Sequence, residues 1–369
     1  MTLFVTVLQS TMRRGIAEMP LHYGSAPSWL FERMKRLVRA VAEIIVAEFG
    51  PEELLRRFSD PVWFQSLGCV AGFDWHSSGL TTTVCGALKE GIKGQERDFN
   101  IFVCGGKGRA SRRTPEEIRL FADRFGLDGE RLIQVSRLVA KVDSTALQDG
   151  YQIYHHLFIG TGRGEWAIVQ QGMNTQTRWA RRYHWLSEGL DSFVVEPHKG
   201  IIGKRSDRVL NMVASEAETA RKAIVEIAAQ RPEMTVREVS KLKLPAHHPV
   251  LASDISPTYL HKVLLKTYEE PPEDFAQLLL VSGVGPKTVR ALALVAEVAY
   301  GAPLSFRDPV TYSFAHGGKD GYPYPVSRDD YDRSIQFLER GIKEAKLGQY
   351  EKLRALRRLE RWSSAMTRQ

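Results

Sequence analysis

Between Asp74 and His184 the chain gathers groups that phosphoryl chemistry uses and that a purely structural domain rarely collects. Asp74 and His76 share a polar stretch with Ser77, Ser78, Thr81, Thr82 and Thr83, set around Gly79. That stretch could cap the helix expected over Val84 to Lys89, or hold an anion on its N–H and hydroxyl groups. Lys107 and Arg109 belong to a glycine-rich basic loop running from Gly105 to Arg113. Asp143, Asp149, His155 and His156 follow, then Gln170, Gln171, Asn174 and His184. Two phosphodiesterase mechanisms fit this set. In one, Asp74, Asp143 and Asp149 hold Mg²⁺ or Mn²⁺, which activates water and steadies the leaving oxygen. In the other, a histidine attacks phosphorus directly and arginines stabilise the developing charge. The catalytic residues expected here are Asp74, His76, Asp143, Asp149 and His156. Because His155 and His156 point to opposite faces of their strand, only one can face a given cleft.

The elements that must position these groups follow from apolar periodicity and turn chemistry. Trp29, Leu30, Met34, Leu37, Val38, Val41, Ile44 and Ile45 recur at helical spacing, which predicts an amphipathic helix from Pro27 to Phe49. Shorter helices are expected over Pro51 to Phe58 and Pro61 to Leu67. Phe99 to Cys104 reads as a strand, and Thr114-Pro115-Glu116-Glu117 as a capping box opening a helix. Ile133 to Lys141 fits a helix or a strand, and Asp143 to Gly150 an acidic loop. Tyr151 to Ile159 and Glu165 to Gln171 flank Gly160-Thr161-Gly162-Arg163-Gly164, the pattern of a β-hairpin. Thr177 to Leu186 is expected to be a helix carrying Arg178, Arg181, Arg182 and Trp185 on one face, a plausible nucleic-acid stripe. A basic, glycine-containing segment from Lys199 to Asp207 suggests a boundary. Beyond it come helices over Val209 to Ala229, after a second capping box at Thr235 to Glu238, from Ser256-Pro257 to Tyr268, and in an amphipathic tail from Asp329 to Trp362.

Near the carboxyl end, the apolar segment Phe275 to Val281 runs into Ser282-Gly283-Val284-Gly285-Pro286-Lys287-Thr288 and a further helix to about Tyr300. Pro286 suits a first helical position, where its missing N–H would be unpaired anyway. Gly283 and Gly285 permit positive φ and leave no side chain between backbone and ligand. The exposed N–H groups of that helix start suit a phosphate. The segment resembles the helix-hairpin-helix motif, a sequence-independent clamp on the DNA backbone. Gly283, Gly285, Lys287 and Thr288 are its expected DNA contacts, joined by Lys107, Arg109, Arg178, Arg181 and Arg182.

Other resemblances bear on activity. The hairpin, Lys287 and Ala299-Tyr300-Gly301-Ala302-Pro303-Leu304-Ser305-Phe306-Arg307-Asp308 resemble the endonuclease-III-type DNA glycosylases. By that resemblance Lys287 would be the Schiff-base nucleophile and Asp308 the essential acid. Across its length the chain also resembles a bacterial and archaeal family of unknown function, through Asp74 to Thr82, Gly105 to Thr114, Tyr154 to Trp185 and Arg307 to Pro325.

Composition permits this reading. The chain has 369 residues, 43% of them hydrophobic and 25% charged, with a net charge of +8, a mild excess compatible with nucleic acid. Cys69, Cys85 and Cys104 are too few for a disulfide framework and too irregularly spaced for a zinc site, which fits a reducing cytoplasm. No apolar run reaches the length of a membrane span. Asparagine occurs only at Asn100, Asn174 and Asn211, a weak sign of a thermophilic source. The expectation is an α+β protein: an α/β catalytic domain over residues 1–207 and an all-α domain with the helix-hairpin-helix over 208–369. Its expected function is that of a DNA-processing or repair enzyme, foremost a nuclease. The alternatives are a glycosylase and abasic-site lyase, or a non-catalytic DNA-binding adaptor.

Overall fold

Helical periodicity dominates residues 27–72, and the chain follows it there. A computed structural model describes Met19, residues 27–72, 77–206, 209–241 and 256–311, and Arg357. Asp74, His76 and, Arg357 apart, the tail from Asp329 to Trp362 lie outside these described residues. Helices α1 (Ser28–Phe49), α2 (Pro51–Ser59), α3 (Pro61–Ala71), α4 (Gly79–Ile92) and α5 (Glu96–Phe99) lead into strand β1 (Ile101–Lys107). Helices α6 (Arg109–Arg112), α7 (Thr114–Phe125) and α8 (Gly129–Lys141), a π-helical turn (Val142–Ala146) and β2 (Leu147–Gln148) follow. Then come β3 (Gln152–Thr161), β4 (Trp166–Asn174), β5 (Trp179–Leu186), β6 (Gly200–Ile202) and β7 (Leu210–Asn211). The remaining helices are α9 (Glu218–Ala228), α10 (Pro232–Lys241), α11 (Pro257–Glu269), α12 (Phe275–Leu280) and α13 (Pro286–Tyr300).

Five strands form one antiparallel sheet in the order β1-β3-β4-β5-β6, and β2 pairs with β7 in a separate two-stranded ribbon. Both faces of the sheet are covered. Ile101, Val103, Leu157, Ile159, Ala167 and Val169 pack against α1 to α4. On the other face Phe102, Phe158, Ile168, Tyr183 and Trp185 pack against α7, α8 and the carboxyl-terminal helices. This second core runs from the sheet to α13 and Val310. Among the described residues the carboxyl-terminal part is not all helix, because β7 belongs to it. No described helix is long and apolar enough to cross a membrane.

Several expectations need correction. Thr177 to Leu186 is not a helix: its residues form β5, with Trp179, Arg181, Tyr183 and Trp185 on one face and Ala180, Arg182, His184 and Leu186 on the other. Arginines are usually exposed, so a helical stripe looked natural; here Arg181 and Arg182 are both fully buried. The expected helix from Val209 begins only at Glu218, because the buried run Val209 to Ala214 holds β7 and a turn. Apolar runs of this length do not distinguish strand from helix. Helix α4 starts at Gly79, inside the stretch expected as loop. Gly105 to Lys107 complete β1, and Arg109 to Arg112 form a helical turn. Neither capping box forms. Thr114 Oγ1 donates to Ser111 O, while Glu117 accepts from Gly105 N and Lys89 Nζ. Thr235 lies within α10, begun at Pro232.

Candidate functional site

The sheet face against α8 carries a connected buried network. The register places His156 beside Gln170, and Gln170 beside Tyr183. Asp143, in the π-helical turn after α8, accepts from Gln170 Nε2 at 2.5 Å, Trp185 Nε1 at 2.9 Å and His198 Nε2 at 2.5 Å. A carboxylate only accepts, so the Gln170 amide turns its nitrogen to Asp143 and its oxygen to His156 Nδ1, at 2.8 Å. His156 Nε2 then accepts from Ser136 Oγ, also at 2.8 Å. Both ring nitrogens are engaged, and burial holds His156 below its ordinary pKa. His156 therefore supports the network and does not serve as a free nucleophile.

A second knot adjoins the first. Asp149 accepts from Tyr183 Oη at 2.7 Å and Arg181 Nη1 at 2.9 Å. Arg181 reaches on to Asp308 through Nη2 at 2.7 Å and Nη1 at 3.2 Å, and to Lys204 O. Its guanidinium also lies 4.6 Å from the Tyr151 ring centroid. Burial opposes the Arg181 charge, yet Asp149 and Asp308 outweigh it and raise its pKa above the usual arginine value. Asp308 accepts in addition from the backbone N–H groups of Ser206 and Val310.

These knots back a cleft of about 270 Å³, lined among others by His198, Arg205, Asn211, Arg307, Asp308 and Thr311. His198 is fixed from behind by Asp143 and packs edge-on to Trp185, with ring centroids 4.6 Å apart. Its Nδ1 makes no hydrogen bond among the described residues, and Nε2 bonded to a carboxylate is the arrangement that orients a general base. Arg205 is exposed at the rim, and Arg307 is held there by Glu196 and Glu216.

The structure thus brings together Asp143, Asp149, His156, Arg181 and Asp308 from the expected sets, and it adds His198, Arg205, Asn211 and Arg307. His198 escaped sequence reasoning because its partner stands 55 residues earlier. Its only local sign was a histidine in the polar run Glu196 to Lys199. Asp143 and Asp149 are occupied by protein donors, and no group of three or more His, Cys, Asp or Glu placed to hold a metal occurs among the described residues. Lys287 is exposed on α13 and does not line the cleft with Asp308. Asp308 is committed to Arg181. Of the expected DNA contacts, Lys107, Arg109, Arg178 and Lys287 are exposed, whereas Thr288 is buried in α13 and Arg181 and Arg182 are sealed in the sheet.

The hairpin follows the expected course. Gly283 takes φ +99°, where only glycine is unstrained, and Pro286 opens α13. Gly285 corrects the expectation, since its φ of −140° suits any residue. The carbonyls of the turn and of Pro286 are taken by the protein's own donors: Ser282 O accepts from Lys266, Gly283 O from Tyr259, Val284 O from Lys141 and Pro286 O from Gln148. No side chain caps the start of α13. Gln148 also ties the hairpin to the cleft, for it lies on β2, whose partner β7 carries the cleft residue Asn211.

No curated protein and no solved structure matches this chain. A family model does, over residues 15–326, and on that match the chain belongs to the family described as protein of unknown function (DUF763).

Proposed function

We propose that this protein grips the DNA backbone with its helix-hairpin-helix and cleaves phosphodiester bonds in the adjoining cleft, as a DNA-processing or repair nuclease. The observation that carries the reading is Gly285. Its φ does not need glycine, and a Cβ there would meet nothing of the protein within 4 Å. The missing side chain serves only something that approaches from outside, next to the uncapped N–H groups of Lys287 and Thr288 and the Lys287 charge. Across the β2–β7 ribbon, water attacks phosphorus as His198 takes its proton and Asp143 steadies the resulting imidazolium; the bond to the leaving sugar oxygen breaks, and that oxygen takes a proton from solvent or back from His198. Arg205, exposed at the rim, neutralises charge growing on the phosphoryl oxygens.

Replacing Gly285 with valine places a branched side chain where the backbone phosphate would lie. We expect duplex affinity to fall about tenfold or more, about 1.4 kcal/mol, with an unchanged circular dichroism spectrum; undiminished affinity would remove the hairpin from the reading. His198→Ala should lower cleavage by roughly 10²- to 10⁴-fold, the usual contribution of a general base, with DNA binding intact. The assay is a denaturing gel with end-labelled single-stranded, duplex and abasic DNA in EDTA, Mg²⁺ or Mn²⁺. Wild-type cleavage by His198→Ala would remove the cleft as the active site, and binding without product in every condition would leave a DNA-binding adaptor.

A further inference from the structure

The opposite face of the sheet carries a row of polar side chains that the cleft does not use. The register aligns Lys107 on β1 with His155 on β3, His155 with Gln171 on β4, and Gln171 with Arg182 on β5. Directly paired residues share a face and lie within side-chain reach of one another, so the four form one line across four strands. Lys107 is exposed at its outer end, and His155, Gln171 and Arg182 are buried.

This row is incompletely satisfied. Arg182 donates to His184 Nε2 at 2.9 Å, Gln65 Oε1 at 2.9 Å and Thr81 Oγ1 at 3.2 Å, all neutral acceptors. His184 is neutral, its Nδ1–H directed to Phe58 O. No carboxylate among the described residues pairs with Arg182, although a buried cation ordinarily has a counter-charge. Burial pushes Arg182 down to about 9. The contrast with Arg181, its sequence neighbour on the other face, is direct: that arginine holds two carboxylates. Three further atoms in the row lack partners, namely both ring nitrogens of His155 and Oε1 of Gln171. The Gln171 amide nitrogen is spent on Ser78 O and Tyr154 Oη. The start of the 14-residue α4 lies against this end of the row: its N-cap residue Ser78 accepts from Gln171 through its carbonyl, and Thr81 accepts from Arg182.

We infer that the row Lys107–His155–Gln171–Arg182 is a binding site for a phosphoryl group, entered from the Lys107 edge. Arg182 and Lys107 supply the positive charge that a phosphate dianion needs, and the start of α4 adds its dipole. His155, held neutral by burial and by Lys107, has one nitrogen to donate and one to accept. Gln171 Oε1 asks for a donor, which the remaining O–H of hydrogen phosphate provides, and which a nucleotide's terminal phosphate provides as its monoanion; a sulfate or carboxylate at neutral pH has none. The phosphoryl group could be free phosphate or the terminal phosphate of a nucleotide. The site lies across the sheet from the cleft and stands or falls independently of DNA cleavage.

The test is thermal unfolding and calorimetric titration of the full chain with inorganic phosphate, a 5′-phosphorylated dinucleotide and its 5′-hydroxyl twin. We expect the melting temperature to rise with phosphate, with the phosphorylated dinucleotide, or with both, and not with the hydroxyl twin. The stronger of the two ligands identifies the source. Arg182→Met should abolish the response and raise the melting temperature of the phosphate-free protein, since an unpaired buried charge is gone. Should that variant fail to fold, Lys107→Ala decides: the side chain is exposed, and its loss should weaken phosphate binding about tenfold, as expected for one charge-assisted contact. No response of the wild type to either phosphorylated ligand, or equal affinity in Lys107→Ala, would overturn the inference.

Discussion

Arg181→Leu should destabilise the protein by about 3–5 kcal/mol, the usual result of removing one partner from a buried ion pair. Arg181 is fully buried, and its loss strands two carboxylates, Asp149 at 1% and Asp308 at 5% side-chain exposure. Neither can recover hydration without opening the sheet. Tyr183 Oη and the N–H groups of Tyr151, Ser206 and Val310 remain as donors but bring no positive charge. The same deletion frees the segment from Asp308 to Thr311 that packs beside β6, so the cleft should loosen with the fold. The exposed pair Arg119–Glu130, at 54% and 65% side-chain exposure, supplies the control. Arg119→Ala should cost less than about 1 kcal/mol, because solvent screens such pairs. Urea unfolding of the variants measures both. An Arg181→Leu midpoint indistinguishable from that of Arg119→Ala would refute the assignment of the buried pairs as a keystone of this face.

Acid should unfold the protein over a window set by histidines. His155, His156 and His184 are all buried, and burial is the leading cause that holds each below its ordinary pKa, His155 at about 3. Lys107 adds to the effect at His155, and Arg182 at His184. In the unfolded chain each regains a pKa of about 6.5. Below that value the unfolded state takes up protons that the native state refuses, so stability falls as pH drops and is full above it. Each histidine contributes a slope of about 1.4 kcal/mol per pH unit until its native pKa is reached. Urea midpoints in phosphate-free buffer between about pH 5 and 8 should therefore be level at the upper end and decline steeply below about 6.5. His155→Phe, which also removes two unpartnered nitrogens, should make that decline shallower. A level profile down to about pH 5 would show that these rings are hydrated or paired with anions in solution.

The features legible in the sequence are those decided within one or two turns of chain. The apolar stripe of α1, the Ser256 cap of α11, the β3–β4 hairpin around its glycine turn, and the Gly283–Pro286 junction of α12 and α13 all formed where residue type and spacing placed them. Local conformational preference and a local apolar face suffice for such elements. Asp143, Asp149, His156 and Asp308 were also recognisable as unusual from their types alone. What each of them does was not. Arg181 meets Asp308 across 127 positions and Asp143 meets His198 across 55, and β5 had to be a strand for Arg181 and Arg182 to divide between two faces. One arginine thereby gained two carboxylates and the other none. That division follows from cross-strand register and from burial between two helical layers, which depend on contacts distant in sequence and leave no periodicity within the strand itself. Only the tertiary structure decides which charge is paired and which waits for a ligand.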